Sequence, residues 1–298
     1  MRRKPAGFLP GHSLEAPLPD SRMIDTPLGR VAIEVTGSGP WVVLLHGSGS
    51  TRRSFDPQIN EFGGEYACVT WDAPGYGDSQ DPVSRPTLND YARCVDAVVR
   101  EVTGSRPVHL VGVSWGGLVA IATAQTFPAL VRSLSLLGPS FGDAGDQRAV
   151  QITHARLEAF RRDKGSYVAE RVLTLSAGRT LQDTYRRVAA EMLKLRSPGF
   201  DYALESMAYA DLRRVAQHLD VPMCLLWGAE DPVAGDNIRA MSPRLPAARR
   251  KEVADAGHLV NQDQPATVNR ELRAFWACVA TPSLHTTTSK GSQHDHPQ

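Results

Sequence analysis

The sequence has almost no excess charge of either sign. Among 298 residues, 33 lysines and arginines stand against 32 aspartates and glutamates, a formal net charge of +1. Phosphate recognition draws on a basic surplus or a basic stripe. The clusters Arg2-Arg3-Lys4, Arg161-Arg162 and Arg249-Arg250-Lys251 are too short to make one. They read as solvated surface, and no nucleic-acid partner is expected. Long apolar runs are also missing. Nothing approaches the ~18 residues of a membrane-spanning helix, and Ala6-Gly7-Phe8-Leu9-Pro10 is too short and interrupted for a secretory signal core. No membrane partner is expected, and the expected location is the cytoplasm. Cysteine is scarce. Cys68, Cys94, Cys224 and Cys278 are widely spaced with no C-x-x-C pair, a pattern of reduced, buried thiols rather than of a disulfide frame or a zinc site.

What remains is an ordinary globular composition, 42% hydrophobic and 22% charged. Residues 1–21 are proline-rich and aperiodic and read as a flexible arm. Residues 281–298 are polar and biased and read as a disordered tail; its His285, His294 and His296 are solvated rather than metal-bound. Between them, short apolar runs recur at Val31–Val35, Trp41–Leu45, Ala67–Trp71, Val108–Val113, Leu134–Leu137 and Met223–Trp227, and a last strand is expected at about Arg250–Val253. Runs of this length suit strands buried on both faces of a parallel sheet. Helical patterns separate them. One opens at Thr87 with Asp90 three residues on, a capping-box spacing, and closes at Gly104. Another runs from Leu118 to Phe127 and stops before Pro128. Strand alternating with helix predicts a doubly wound α/β sheet. Met23–Asp25 and Val31–Val35 flank Thr26-Pro27-Leu28-Gly29, a hairpin signal, so the sheet is expected to begin antiparallel.

From Pro139 to Asp211 the strand signal stops and helical patterns replace it, at Val150–Phe160, Tyr167–Leu175, Leu181–Leu195 and Phe200–Leu212. A helical insertion between two sheet strands predicts a cap. The expected organisation is an arm (1–21), a core (22–138), a helical cap (139–211), the rest of the core (212–280) and a tail (281–298).

Gly112-Val113-Ser114-Trp115-Gly116 is a G-x-S-x-G string that follows an apolar strand and opens a helix, the context that motif requires. The sharp turn exposes the serine hydroxyl, and small neighbours at 112 and 116 let it close. The helix N-terminus favours negative charge at the same spot. Ser114 is therefore the candidate nucleophile, and it needs a base. Of nine histidines, only His46 and His258 fall beyond strand C-terminal ends, where active groups of such sheets gather. His258, in Asp255-Ala256-Gly257-His258-Leu259, fits the order serine, acid, histidine and is the candidate base. The acid that orients it is Asp231 or Glu230, in the loop after Met223–Trp227; Pro232 biases Asp231 toward an extended conformation, and Asp231 is preferred. Asp255 and Asp263 read as surface charges. His46-Gly47-Ser48-Gly49-Ser50 lets backbone approach a substrate carbonyl, and the N–H groups of Ser48 and Trp115 are the expected oxyanion hole. His46, Gly47, Trp115 and Leu259 are expected to line the substrate site.

These pieces, together with Trp71-Asp72-Ala73-Pro74-Gly75-Tyr76-Gly77-Asp78-Ser79, resemble the α/β-hydrolase fold superfamily over Met23 to Ala280. The resemblance implies an eight-stranded, mostly parallel sheet with a helical cap. It also implies a Ser114–His258–Asp231 triad, an acyl-enzyme intermediate, and neither metal nor cofactor. Epoxide hydrolases and haloalkane dehalogenases resemble the chain too, but use an aspartate where this chain has Ser114. Meta-cleavage C–C hydrolases usually carry Asn before the serine and Trp after the histidine; here those residues are Val113 and Leu259. Ester, lactone and amide hydrolases are the closer likeness, so the expected partner is a small acyl substrate and the leading expectation a carboxylic ester. A non-catalytic small-molecule receptor on the same fold is the alternative from another class. The aromatics of the insertion (Phe141, Phe160, Tyr167, Tyr185, Phe200, Tyr202, Tyr209) and Met207 read as packing residues first and pocket lining second, and its arginines as solvated first and as partners of a substrate carboxylate second. The oligomeric state does not follow from the motifs, which leave a homodimer open.

Overall fold

A computed structural model describes residues 20–178 and 182–280. The expected tail, its histidines and residues 1–19 of the expected arm lie outside them. Eight strands form one sheet: β1 (Asp20–Thr26), β2 (Gly29–Thr36), β3 (Trp41–Leu45), β4 (Ala67–Trp71), β5 (Val108–Val113), β6 (Val131–Leu137), β7 (Met223–Gly228) and β8 (Ala247–Val253). Their order is β1-β2-β4-β3-β5-β6-β7-β8. β1 pairs antiparallel with β2 and β2 with β4; every later pair is parallel. The hairpin falls on the expected residues: Thr26 pairs with Gly29 across Pro27-Leu28, and Gly29 takes φ +112°, which glycine adopts without strain. Pairing begins at Asp20, two residues before the expected start of the core.

The core is two layers of side chains, one on each face, because alternate strand residues point to opposite sides. Val43, Leu45 and Leu110 join one cluster with Val95 and Val98 of α2 (Leu88–Thr103, following α1, Asp56–Phe62). Val42, Leu44 and Val111 join the other. The capping box at α2 is formed, and Gly104 closes that helix in the left-handed region. α3 (Trp115–Thr126) is buried from Trp115 through Ala124, as a helix apolar on all sides must be.

Of the helices described between β6 and β7, four fall within residues 139–211: α4 (Gln147–Arg162), α5 (Lys164–Leu175), α6 (Gln182–Leu193) and α7 (Ser197–Tyr209). After them come α8 (Arg213–Gln217), α9 (Gly235–Met241), α10 (Val260–Asp263) and α11 (Pro265–Ala280). α11 supplies Val268, Leu272, Phe275 and Trp276 to the second core cluster. Three of the four cysteines are buried as expected, and burial pushes the Cys68 and Cys224 thiols up to about 12. Cys278 departs from the expectation. It lies on the solvent side of α11 and is exposed.

Candidate active site

The sheet brings three loops to one rim. Ser114 follows β5, Asp231 follows β7, and His258 follows β8 by a short loop. Ser114 has φ +53° and ψ −114°, a conformation in which its Cβ is strained. The turn closes only because its neighbours lack side chains. A Cβ on Gly112 would sit 2.3 Å from the Gly116 carbonyl oxygen, and one on Gly116 would sit 2.1 Å from that of Leu45.

A continuous hydrogen-bond line joins the three side chains. His258 Nε2 lies 2.9 Å from Ser114 Oγ, and His258 Nδ1 lies 2.8 Å from Asp231 Oδ2. The other carboxylate oxygen of Asp231 accepts the backbone N–H groups of Val233 at 2.7 Å and Ala234 at 3.0 Å. Burial alone would push the Asp231 carboxyl up. The hydrogen bond and charge of His258 and those two N–H groups outweigh it and hold the carboxyl below its ordinary value. Asp231, rather than Glu230, meets the imidazole. Asp263 is not the surface charge the sequence suggested. Its Oδ2 accepts the Gly257 N–H at 2.9 Å, and burial pushes its carboxyl up to about 6.

Ser48 borders the cavity beside Ser114 and His258. Its carbonyl accepts the Tyr76 hydroxyl at 3.1 Å, which fixes the loop. Trp115 is the first residue of α3, so its N–H has no acceptor within the helix. Gly47 and Leu259 line the cavity. The side chains of His46 and Trp115 do not. The His46 ring is fully buried; its Nε2 accepts the Ala73 N–H at 3.0 Å and its Nδ1 donates to the Gly47 carbonyl at 2.8 Å. Burial lowers its pKa, in keeping with this neutral tautomer. His46 therefore clamps the β3 and β4 loops together with no ring nitrogen left for substrate. Trp115 is turned toward α7, its Nε1–H donating to Ser206 Oγ at 2.9 Å.

Two spaces share Ser48 and His258 in their walls. The inner one, of about 40 Å³, is walled by Val113, Leu175, Val188, Met192, Phe200 and Leu259. The outer cleft, of about 710 Å³, runs between α4 and the Pro232–Met241 segment. Of the insertion aromatics, Phe200 reaches the inner space and Phe141 the outer one, while Phe160 and Tyr167 are buried in packing. Arg156 and Arg171 border both spaces, which the sequence did not single out. A signal existed. Arg156 lies between Thr153 and Phe160, and Arg171 between Val168 and Leu175, on the buried stripes of α4 and α5.

Residues 42–271 match the model of the alpha/beta hydrolase family. The chain belongs to that family. This α/β hydrolase is 30% identical over 263 residues to the pimeloyl-[acyl-carrier protein] methyl ester esterase of Xanthomonas axonopodis pv. citri, covering 83% of this chain and 99% of the relative. It is 28% identical to the dihydrolipoyllysine-residue acetyltransferase component of the acetoin cleaving system of Pseudomonas putida. That match covers 80% of this chain but only 63% of the relative's length. A thermophilic esterase from Thermogutta terrifontis, solved with malate bound, superposes with a TM-score of 0.80 at 24% identity, covering 88% of this α/β hydrolase and all of the esterase.

Proposed function

We propose that this α/β hydrolase cleaves a small carboxylic ester through an acyl-enzyme intermediate, with Ser114 as nucleophile, His258 as general base and acid, and Asp231 as the orienting carboxylate. The observation that carries the proposal is the line from Ser114 Oγ through His258 to Asp231, with contacts of 2.9 and 2.8 Å. Both are within proton-transfer and hydrogen-bond reach.

Ser114 Oγ forms a bond to the carbonyl carbon while its proton passes to His258 Nε2. The oxyanion that results accepts the N–H groups of Ser48 and Trp115; one such donor typically contributes ~3–4 kcal/mol to the transition state. Collapse breaks the bond to the alcohol oxygen, which takes the proton from His258. Water then attacks the acyl carbon, gives a proton to His258, and the acid leaves as Ser114 Oγ regains it. Throughout, Asp231 holds the Nδ1 proton and stabilises the imidazolium. The helices α4–α7 act as a cap that walls the inner space and limits the acyl group to a small one. Relatives named as ester hydrolases favour the ester over the lactone, amide or C–C bond, which the same residues can attack.

The test is a pre-steady-state burst with p-nitrophenyl acetate together with labelling by a fluorophosphonate. The wild type gives a burst and is labelled at Ser114, and Ser114→Ala gives neither. Turnover that survives in Ser114→Ala, or an unlabelled Ser114 in folded protein, refutes the assignment.

A further inference from the structure

The walls common to the two spaces hold two positive charges that no ion pair with a described residue neutralises. Arg156 and Arg171 supply them from α4 and α5, beside Ser114 and His258. The Arg156 guanidinium donates through Nε and one terminal nitrogen to the Tyr167 hydroxyl, both at 3.3 Å. Those contacts aim it but do not balance its charge. Arg171 donates no hydrogen bond to another described residue. No carboxylate among the described residues forms an ion pair with either arginine. Other arginines near the insertion are paired, as Arg161 is with Asp201, Arg85 with Glu205 and Arg196 with Asp81. Burial pushes the Arg171 guanidinium down to about 10 and the like charge of Arg156 pushes the same way, with Tyr167 and the Asp231 carboxylate opposing them in part.

Two like charges held together in a poorly solvated space destabilise the fold unless something compensates them. The guanidinium fork matches a carboxylate in two-point geometry. The arginines border the small inner space that Ser114 also borders, so an anion held there sits a few bonds from the carbonyl under attack. We propose that Arg156 and Arg171 bind a carboxylate carried by the substrate, so that the preferred ester is a short one with a free acid close to the scissile carbonyl. This inference rests on the ester-hydrolase proposal for the reaction, but not for the anion site itself. The outer cleft, with Arg213 and Arg244 against Asp143 and Asp146, leaves the way in open to an anion.

Two substrate pairs that differ in charge and little else test it. Monoethyl succinate and ethyl succinamate place the charge, or its neutral amide, on the acyl side; acetoxyacetate and acetoxyacetamide place it on the leaving side. The wild type is expected to prefer the acid in at least one pair by 30-fold or more in kcat/KM. Arg171→Gln and Arg156→Gln should each reduce that preference at least 10-fold, and Arg171→Lys should restore part of it. A merely structural arginine would lower the melting temperature when neutralised. Here Arg171→Gln should leave it equal or higher, because an uncompensated buried charge is removed. Separately, 10 mM succinate should raise the melting temperature by 2 °C or more in the wild type and in Ser114→Ala, and not in Arg171→Gln.

A preference near one in both pairs, or one untouched by both glutamine variants, overturns the proposal. If that happens while Ser114 is labelled and the neutral esters are cleaved, the hydrolase assignment stands and the carboxylate site alone falls. If no ester is cleaved but succinate still stabilises through Arg171, the anion site stands and the hydrolase assignment falls. The absence of any shift with succinate removes the site.

Discussion

The backbone N–H of His258 donates to the carbonyl of Leu175 at 2.7 Å. This bond ties the last turn of α5 to the loop that carries the imidazole, so the insertion and the proposed base are one mechanical unit. Arg171 lies one turn before Leu175 on the same helix. The contact is close because Gly257 has no side chain. A Cβ there would lie 2.7 Å from the Leu175 oxygen and 2.8 Å from the Ser176 carbonyl carbon, both main-chain atoms that cannot swing away. Gly257→Ala should therefore destabilise the protein by about 1–3 kcal/mol. It should also lower kcat/KM roughly 10-fold or more by displacing His258 from Ser114. Urea unfolding and ester hydrolysis read the two effects; wild-type values for both would show that α5 and the histidine loop are not so tightly joined.

Ser114 has a Cβ in a backbone conformation that suits glycine. Relief of that strain is worth about 1–3 kcal/mol, and the added freedom of a glycine in the unfolded chain takes back about 0.5–1 kcal/mol. Relief wins. Ser114→Gly and Ser114→Ala should both be inactive, and the glycine variant should be the more stable by about 1 kcal/mol. Equal midpoints in chemical denaturation would mean that the elbow is not under strain.

Much of this arrangement was legible from the residues. The strands at Trp41–Leu45, Ala67–Trp71 and Val108–Val113 fall where their apolar runs do, because strands buried on both faces leave an uninterrupted run. The Thr26–Gly29 turn and the Thr87 capping box are local chemistry and were equally visible. Other features were hidden for physical reasons. A side chain's direction depends on the tertiary neighbours that claim it. His46 sits where a substrate-contacting residue belongs, yet both its nitrogens are taken by main-chain groups at Ala73 and Gly47. Asp263 looked like a solvated acid, and its fate depends on the Gly257 N–H six residues back. The sequence offers the insertion's arginines as carboxylate partners without saying which of them, because arginine on an amphipathic helix usually reaches water. The positions of Arg156 and Arg171 on the buried stripes of α4 and α5 were the contrary sign.

The choice between the two adjacent acids follows from which one touches the imidazole. Asp231 Oδ2 is 2.8 Å from His258 Nδ1, while its other oxygen is anchored by the loop it belongs to. An asparagine there would favour the wrong imidazole tautomer. Asp231→Asn should thus lower kcat by about 10⁴-fold, the scale typical of losing a triad carboxylate, while Glu230→Gln should change it by less than about 3-fold. Comparable losses in the two variants would reverse the assignment.

Asp263 makes stability depend on pH in a direction unusual for a carboxylate. Burial raises its pKa from an ordinary 3.8 to about 6, with the Gly257 N–H opposing. The folded state thus binds the proton more tightly than the unfolded state. The stabilisation is complete below about pH 4, fades as pH rises through about 6, and is absent above that. A gap of this size corresponds to about 3 kcal/mol, and the partly exposed position of the side chain brings the expectation to about 1–2 kcal/mol. Asp263→Asn keeps an oxygen for the Gly257 N–H and removes the charge. It should raise the melting temperature at pH 8 and change it little at pH 4, with the histidine loop in place and kcat near wild type. A variant that is less stable at pH 8, or shifted equally at both pH values, would mean that the carboxylate is held by its charge rather than penalised for it.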